Sequence, residues 1–205
     1  MDILLKYFPD LTTEQQQQFA ALQKIYTEWN SMINVISRKD IDNLYERHVL
    51  HSLSIAKFIQ FKKATKIMDL GTGGGFPGVP LAILFPEVRF HLVDSIGKKL
   101  KVIEAVKEEI GLTNIFTFHA RAEQMEYQYD FVVSRAVAPL ADLLTWTHGK
   151  YAGKDQNAIP NGLICLKGGD ITEELSVVKK AYKIPLTKFF EEESFKDKFL
   201  VYVEQ

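Results

Sequence analysis

The sequence predicts an α/β fold, one mostly parallel seven-stranded sheet with a helical segment in front of it. Three observations predict it. Short apolar runs alternate with amphipathic stretches from residue 66 onward, the pattern of a sheet covered on both faces. The run Lys66-Ile67-Met68-Asp69-Leu70 passes directly into a stretch with four glycines between Gly71 and Gly75, which reads as strand, sharp turn, then helix. The first 64 residues show helical spacing and no strand pattern.

In chain order, Thr12 and Gln15 can form a capping box. Phe19, Leu22, Ile25, Tyr26, Trp29 and Ile33 then follow at helical spacing. Further helices are expected over 40–48 and 52–61. Together these make a helical cap, residues 1–64, in front of a domain spanning 65–205. Strands are expected at 66–70, 89–94, 115–119, 130–134 and 162–167. Helices are expected at 78–85, 97–110 and 140–148, with a short turn at 123–125. Pro77 suits a first helical turn, where a missing N–H costs nothing. Residues 149–161 hold Gly153, Asp155, Asn157 and Pro160 and read as a surface loop. Asp170 opens a helix ending near Tyr182. Two last strands, near 183–190 and 199–204, have no helix between them and read as an antiparallel hairpin closing the sheet.

Composition bounds the function. The 205 residues are 46% hydrophobic, ample for a core. Net charge is -1, so any nucleic-acid surface must be local. The single cysteine, Cys165, lies in the apolar run Leu163-Ile164-Cys165-Leu166 and is expected to be a small buried hydrophobe. No signal peptide and no apolar run of membrane-spanning length is read. The expectation is a cytoplasmic monomer. No His, Cys and carboxylate cluster has metal-ligand spacing, so no metal is expected.

In an open α/β sheet, ligands bind beyond the carboxyl ends of the strands. Those ends carry Asp69 with the glycine loop, Asp94-Ser95, Arg121-Ala122-Glu123, Ser134-Arg135-Ala136 and Lys167-Gly168-Gly169. Gly73-x-Gly75-x-x-Gly78 formally matches a dinucleotide loop, which leaves an NAD(P)-dependent oxidoreductase open. Asp69 before the first glycine and Asp94 closing the second strand resemble instead the cofactor site of class I S-adenosylmethionine (AdoMet) methyltransferases, a Rossmann-like fold. Asp94 then accepts from ribose hydroxyls, or merely caps the following helix. Ala122 and Glu123 sit beside the adenine. Arg135 binds a carboxylate or phosphate, or forms a structural pair with Asp69 or Glu123. No Asn/Asp-Pro-Pro-aromatic stretch follows the fourth strand, and Cys165 lacks the preceding proline of a pyrimidine-C5 nucleophile. Methyl transfer to an already nucleophilic atom, such as a purine N7, remains.

The motifs together resemble the RsmG (GidB) family, bacterial methyltransferases of guanine N7 in 16S rRNA. They are Trp29-Asn30 with Asn34-Val35-Ile36-Ser37-Arg38, Arg47-His48-Val49-Leu50-His51-Ser52-Leu53, and Asp69 to Ala82. Asp94-Ser95 with Lys98-Lys99, Arg121-Ala122-Glu123, Ser134-Arg135-Ala136 and Lys167-Gly168-Gly169 complete the set. His51 stands where an aspartate is usual. The resemblance implies that Gly71, Phe76, Asp94, Ala122, Glu123 and Arg135 hold AdoMet; Gly73 and Gly75 of the loop and Ser95 at the end of the second strand are expected in the same site, and Arg135, by its place after the fourth strand, is the catalytic candidate. The resemblance also implies 16S rRNA, or the small ribosomal subunit, as partner. A non-catalytic RNA-binding assembly factor is the remaining alternative. Charge and position suggest Arg38, Arg47, His48, Lys98, Lys99 and Lys167 as RNA contacts, each of which could equally be an ordinary solvated residue.

Overall fold

The computed structural model of the chain describes every residue except Arg38 and Val177. Seven strands form one sheet: β1 (Lys66–Leu70), β2 (Arg89–Asp94), β3 (Ile115–His119), β4 (Phe131–Arg135), β5 (Gly162–Gly168), β6 (Ala181–Pro185) and β7 (Lys198–Glu204). Their spatial order is β3-β2-β1-β4-β5-β7-β6. The first five run parallel, and β7 lies antiparallel to both β5 and β6. Strand order reverses between β1 and β4, so a crevice opens there beyond the strand ends.

Alternating side chains divide the core into two layers. One face of the sheet contributes Ile67, Phe90, Leu92, Phe131, Val133 and Ile164, covered by α4 (Gly78–Leu84) and α5 (Gly97–Ile110). The other contributes Met68, Leu70, Val93, Val132, Leu163 and Cys165, packed with Leu140 and Leu143 of α6 (Leu140–Thr147). No helix of the described residues is long and apolar enough to cross a membrane.

The N-terminal helices pack into the first of these layers. α2 (Thr13–Met32) starts at the expected capping box, with Gln15 N–H donating to Thr12 Oγ1 at 3.2 Å and Thr12 N–H to Gln15 Oε1 at 3.0 Å. It buries Phe19, Leu22, Ile25 and Tyr26 in the core shared with the sheet. The helix also finishes its neighbours. Gln15 Nε2 donates to the carbonyls of Ile83 and Leu84, and Gln18 Nε2 to that of Ile110. Those carbonyls end α4 and α5, where no intrahelical donor remains. A short α1 (Asp2–Tyr7) precedes it, a piece too brief to show periodicity in the sequence.

Four expected elements differ. The helices at 40–48 and 52–61 are one winding segment: a 3-10 turn Ile41–Asn43, a π-helical stretch Tyr45–Leu50 and α3 (His51–Phe58). No Gly or Pro lies between Leu44 and Phe58 to break it. The helix after Asp170, α7, covers only Thr172–Ser176. The strand expected at 183–190 is β6, shifted to Ala181–Pro185. Lys180 and Ala181 suit a helix locally, yet pairing of Tyr182 and Ile184 with Tyr202 and Leu200 of β7 prevails. Pro185 cannot donate to a ladder, and a 3-10 turn follows it.

Asn114 completes the other approach to the C-terminal end of α4. Its buried Nδ2 donates to the carbonyls of Ala82, Phe85 and Val88, each at 3.1 Å. Replacing Asn114 by Ala strands these acceptors at a cost of about 1–3 kcal/mol. A melting temperature lowered by roughly 2–4 °C per kcal/mol is expected at this chain length, with the cleft described below unaffected. An unchanged melting curve would remove Asn114 from this role.

Candidate functional site

A cleft of about 660 Å³ opens at the carboxyl ends of β1, β2 and β4. Its floor is the loop after β1. Gly71 and Thr72 N–H groups both donate to the Val93 carbonyl, at 2.9 and 3.1 Å, which turns the chain sharply off the strand. Gly71 has φ +67°, and a Cβ there would lie 2.6 Å from Val137 Cγ2. Only glycine combines that backbone with that contact.

Two carboxyls hold the loop. Asp69 is fully buried; its Oδ2 accepts from Thr72 Oγ1 at 2.6 Å and from Gly78 N–H at 2.8 Å. One oxygen thereby ties the loop to the first residue of α4. Burial raises the Asp69 pKa from 3.8 to about 7, against the pull of its two donors and of Arg135. Asp94, which closes β2, is also buried. Its Oδ2 accepts the Gly73 N–H at 2.9 Å and its Oδ1 the Ile96 N–H at 2.8 Å. Ile96 is the residue just before α5, so the capping alternative holds only for the turn leading into that helix. Each oxygen keeps acceptor capacity for a ligand in the cleft.

Arg135 ends β4 on the far side. Its Nη2 donates to His48 Nδ1 at 3.0 Å, its Nη1 to the Arg47 carbonyl at 3.4 Å, and its guanidinium carbon lies 5.0 Å from the Phe76 ring centroid. Ion pairing with Asp69 or Glu123 was the structural alternative. Among the described residues Arg135 forms no salt bridge at all. Burial lowers its pKa to about 10, which leaves it charged at neutral pH. Burial and the Arg135 charge together lower the His48 pKa to about 4. A neutral imidazole accepting at Nδ1 carries its proton on Nε2.

Of the residues singled out in the sequence, the cleft brings together Gly71, Gly73, Phe76, Asp94, Ser95, Ala122, Glu123, Arg135 and Lys99. Gly75 does not line it. At φ +99° it faces inward, where a Cβ would lie 2.6 Å from Val79 and 3.2 Å from Tyr26 Oη. Lys98 is exposed beside the cleft. Arg47 pairs with Asp40 at the surface. Lys167 is committed elsewhere: its ammonium pairs with Glu174 at 2.7 Å, also donates to the Ala138 carbonyl, and its side chain is 10% exposed. Arg38 lies outside the described residues. Sequence reasoning missed Val35, Trp146 and Val137 on the walls. Their apolar character marks them as core, and only the fold brings them to one opening.

The family model for rRNA small subunit methyltransferase G matches residues 15–197. The chain belongs to that family. It is 62% identical over 203 residues to ribosomal RNA small subunit methyltransferase G of Bacteroides thetaiotaomicron, covering 98% of each chain. It is 60% identical to the protein of the same name from Bacteroides fragilis, covering 99% of each. In fold it is similar to a SAM-dependent methyltransferase from Aquifex aeolicus, at TM-score 0.55 and 14% identity over 82% of this chain and 97% of that one. This is the class I methyltransferase fold. The dinucleotide and assembly-factor alternatives find no support in these comparisons.

The Asp69 carboxyl gives a pH test. Between pH 3.8 and about 7 the folded chain holds a proton that the unfolded chain has lost. This group's contribution to stability is therefore full at low pH and is lost as pH rises through about 7. His48 and His91, both lowered to about 4, act in the opposite sense below pH 6.5, so the comparison must be with Asp69→Asn. The Asn variant should gain on the wild type between pH 5 and 8, by on the order of a few kcal/mol. Thermal melting against pH checks it; parallel curves would mean the carboxyl does not titrate there.

Proposed function

We propose that this chain transfers a methyl group from AdoMet to small-subunit rRNA, and that the acceptor is N7 of a guanine. The observation that carries the reading is the cleft itself: a glycine cradle, a carboxylate at the end of β2 with acceptor capacity left, and an unpaired guanidinium opposite, in a member of this family. The residues fit the cofactor. Gly73 has φ +58° and nothing within 4 Å of where a Cβ would stand, so ligand can lie against bare backbone. Asp94 would accept from a ribose diol, Ala122 and Glu123 would flank the base, and Arg135 would grip a carboxylate.

AdoMet supplies an electrophilic methyl on a sulfonium. The chain supplies position and a dry site. A purine N7 lone pair is already exposed to attack, so no residue has to remove a proton. Cys165 gives no alternative covalent route to pyrimidine C5. It is buried within β5, and burial pushes its thiol up to about 12, which leaves almost no thiolate at working pH. The guanine must leave its stack to reach the cleft.

The test is to incubate the protein with methyl-labelled AdoMet and 16S rRNA, naked and as small subunits, and to digest the product for nucleoside mass spectrometry. 7-Methylguanosine is expected; label in another nucleoside, or none, overturns the reading.

Two substitutions sharpen it. Asp94→Ala removes a charged acceptor, and hydrogen bonds to charged groups are worth about 1.5–3 kcal/mol. Calorimetry should show AdoMet bound roughly ten- to a hundredfold more weakly. Unchanged affinity in a folded variant removes Asp94 from the site. Arg135→Ala should lose single-turnover methylation by a larger factor than its melting temperature accounts for. Arg135→Lys should recover only part, since an ammonium cannot reproduce the fork. A variant that melts early but methylates at the normal rate would make Arg135 scaffold.

A further inference from the structure

The sheet face opposite α4 and α5 is incompletely covered. Between β3 and β4 the described chain has only a 3-10 turn, Ala122–Gln124. α6 packs over the face near β1, β4 and β5, with Met68, Val132 and Leu163. Over β2 and β3 the face carries aromatic rings instead. Register places Met68, His91 and Phe116 in one row across β1, β2 and β3. His91 is the hub. Its ring centroid lies 5.7 Å from Phe116, 4.8 Å from Phe118, 4.8 Å from Tyr127 and 5.5 Å from Tyr129. Its Nδ1 lies 3.1 Å from Tyr129 Oη.

The inner rings of this cluster are buried, and the outer ones are not. Tyr129 is fully buried, whereas Phe116 is 42% and Tyr127 51% exposed. Two large exposed rings, each packed against His91, are costly to leave in water. The rim is basic. Lys66 and Arg89 sit opposite one another in the β1–β2 register, one step along the same face from His91. Both are exposed, and neither joins a salt bridge among the described residues. They are the charges that act on the His91 ring.

We propose that this face, with Phe116 and Tyr127 as its outer rings and Lys66 and Arg89 at its rim, is a second contact surface for the rRNA substrate. Unpaired bases stack on the two rings, and the two cations hold flanking phosphates. The inference rests on the reading of the chain as an rRNA methyltransferase. Three things favour RNA over a second copy of the chain. Base stacking suits exposed aromatic rings and tolerates any sequence. Unpaired cations of one sign suit a phosphate backbone. The surface is also continuous with the cleft: Phe118 is two residues from Ala120, and the turn before Tyr127 supplies Ala122 and Glu123. Lys66 and Arg89 begin β1 and β2, so RNA running from the cleft to these cations passes along the face from its carboxyl to its amino end.

Fluorescence anisotropy with a labelled 16S rRNA fragment, without AdoMet, tests the surface independently of catalysis. Phe116→Thr with Tyr127→Ser should weaken binding about tenfold or more, with AdoMet affinity and the saturated single-turnover rate unchanged. Lys66→Gln with Arg89→Gln alters only exposed side chains, so folding is not at issue. It should reduce the slope of log affinity against log salt by about 1.4. Ultraviolet crosslinking should place RNA on a peptide holding Phe116 or Tyr127. Unchanged affinity and slope in both folded variants, with no such crosslink, overturn the proposal. So does a dimer in sedimentation that the aromatic variant dissolves while RNA affinity stays the same. Wild-type protein that binds RNA through this face but methylates no rRNA would leave the surface standing and sink the enzymatic reading instead.

Discussion

The cleft depends on one buried carboxyl. Asp69 Oδ2 receives the hydroxyl of Thr72 and the amide of Gly78, the near and far ends of the glycine loop. A loop with this much backbone freedom loses a large entropy on folding. Fixing both its ends on one oxygen of a residue already anchored in β1 offsets part of that loss locally. The arrangement has its own cost, because a carboxylate in the dry interior is disfavoured. Burial pushes the group toward its neutral form, and among the described residues no cation pairs with it. Arg135 acts on it from a distance and so stays available on the other side of the loop.

The helical segment before the sheet is part of this support. Tyr26 is fully buried, and its hydroxyl donates to the Gly74 carbonyl at 2.6 Å. Its ring lies 4.9 Å from Phe76, while Val35 stands where a Cβ on Gly74 would intrude. The loop is therefore held by Asp69 and Asp94 from the sheet, by Tyr26 from α2 and by Val35 from the stretch that follows it. Both groups of contacts act on a few consecutive residues. A disturbance in residues 26–35 reaches the cleft through packing, with no need for direct contact with a ligand.

Much of this was legible in the sequence because it is local. Strands of a parallel sheet are continuous apolar runs, and a ligand site at strand ends is composed of residues adjacent to those runs. Asp94, Ser95, Ala122, Glu123 and Arg135 stand next to such runs, and all five line the cleft. What depends on distant partners was not legible. The lysine at 167 looks free until Glu174 folds back onto it. Gly75 looks like its neighbours until Val79 and Tyr26 close on it. The strand at 181–185 exists because β7 offers an edge, against the helical preference of the residues before it. The strand at 115–119 is legible, but which of its rings stays exposed is not; with only a 3-10 turn between β3 and β4 among the described residues, Phe116 is left in water.

Arg135 carries the last step of the argument. A guanidinium has five donors in a fixed fork. His48 and the Arg47 carbonyl each take one, and the Phe76 face takes a share of the charge without taking a donor. The rest of the fork has no protein acceptor among the described residues. All three protein partners are neutral, and His48 is held so because Arg135 and burial both oppose its protonation. A cation so placed has been oriented without being neutralised. Its strongest available partner is an anionic group arriving in the cleft, and low local polarity makes that contact worth more than in water. Since His48 and Arg47 belong to the N-terminal segment while Arg135 belongs to β4, an anion gripped there also fastens the helices to the sheet. The helices are already packed on the sheet through Phe19, Leu22, Ile25 and Tyr26, so such an anion adds one more tie to a seating that the core already fixes.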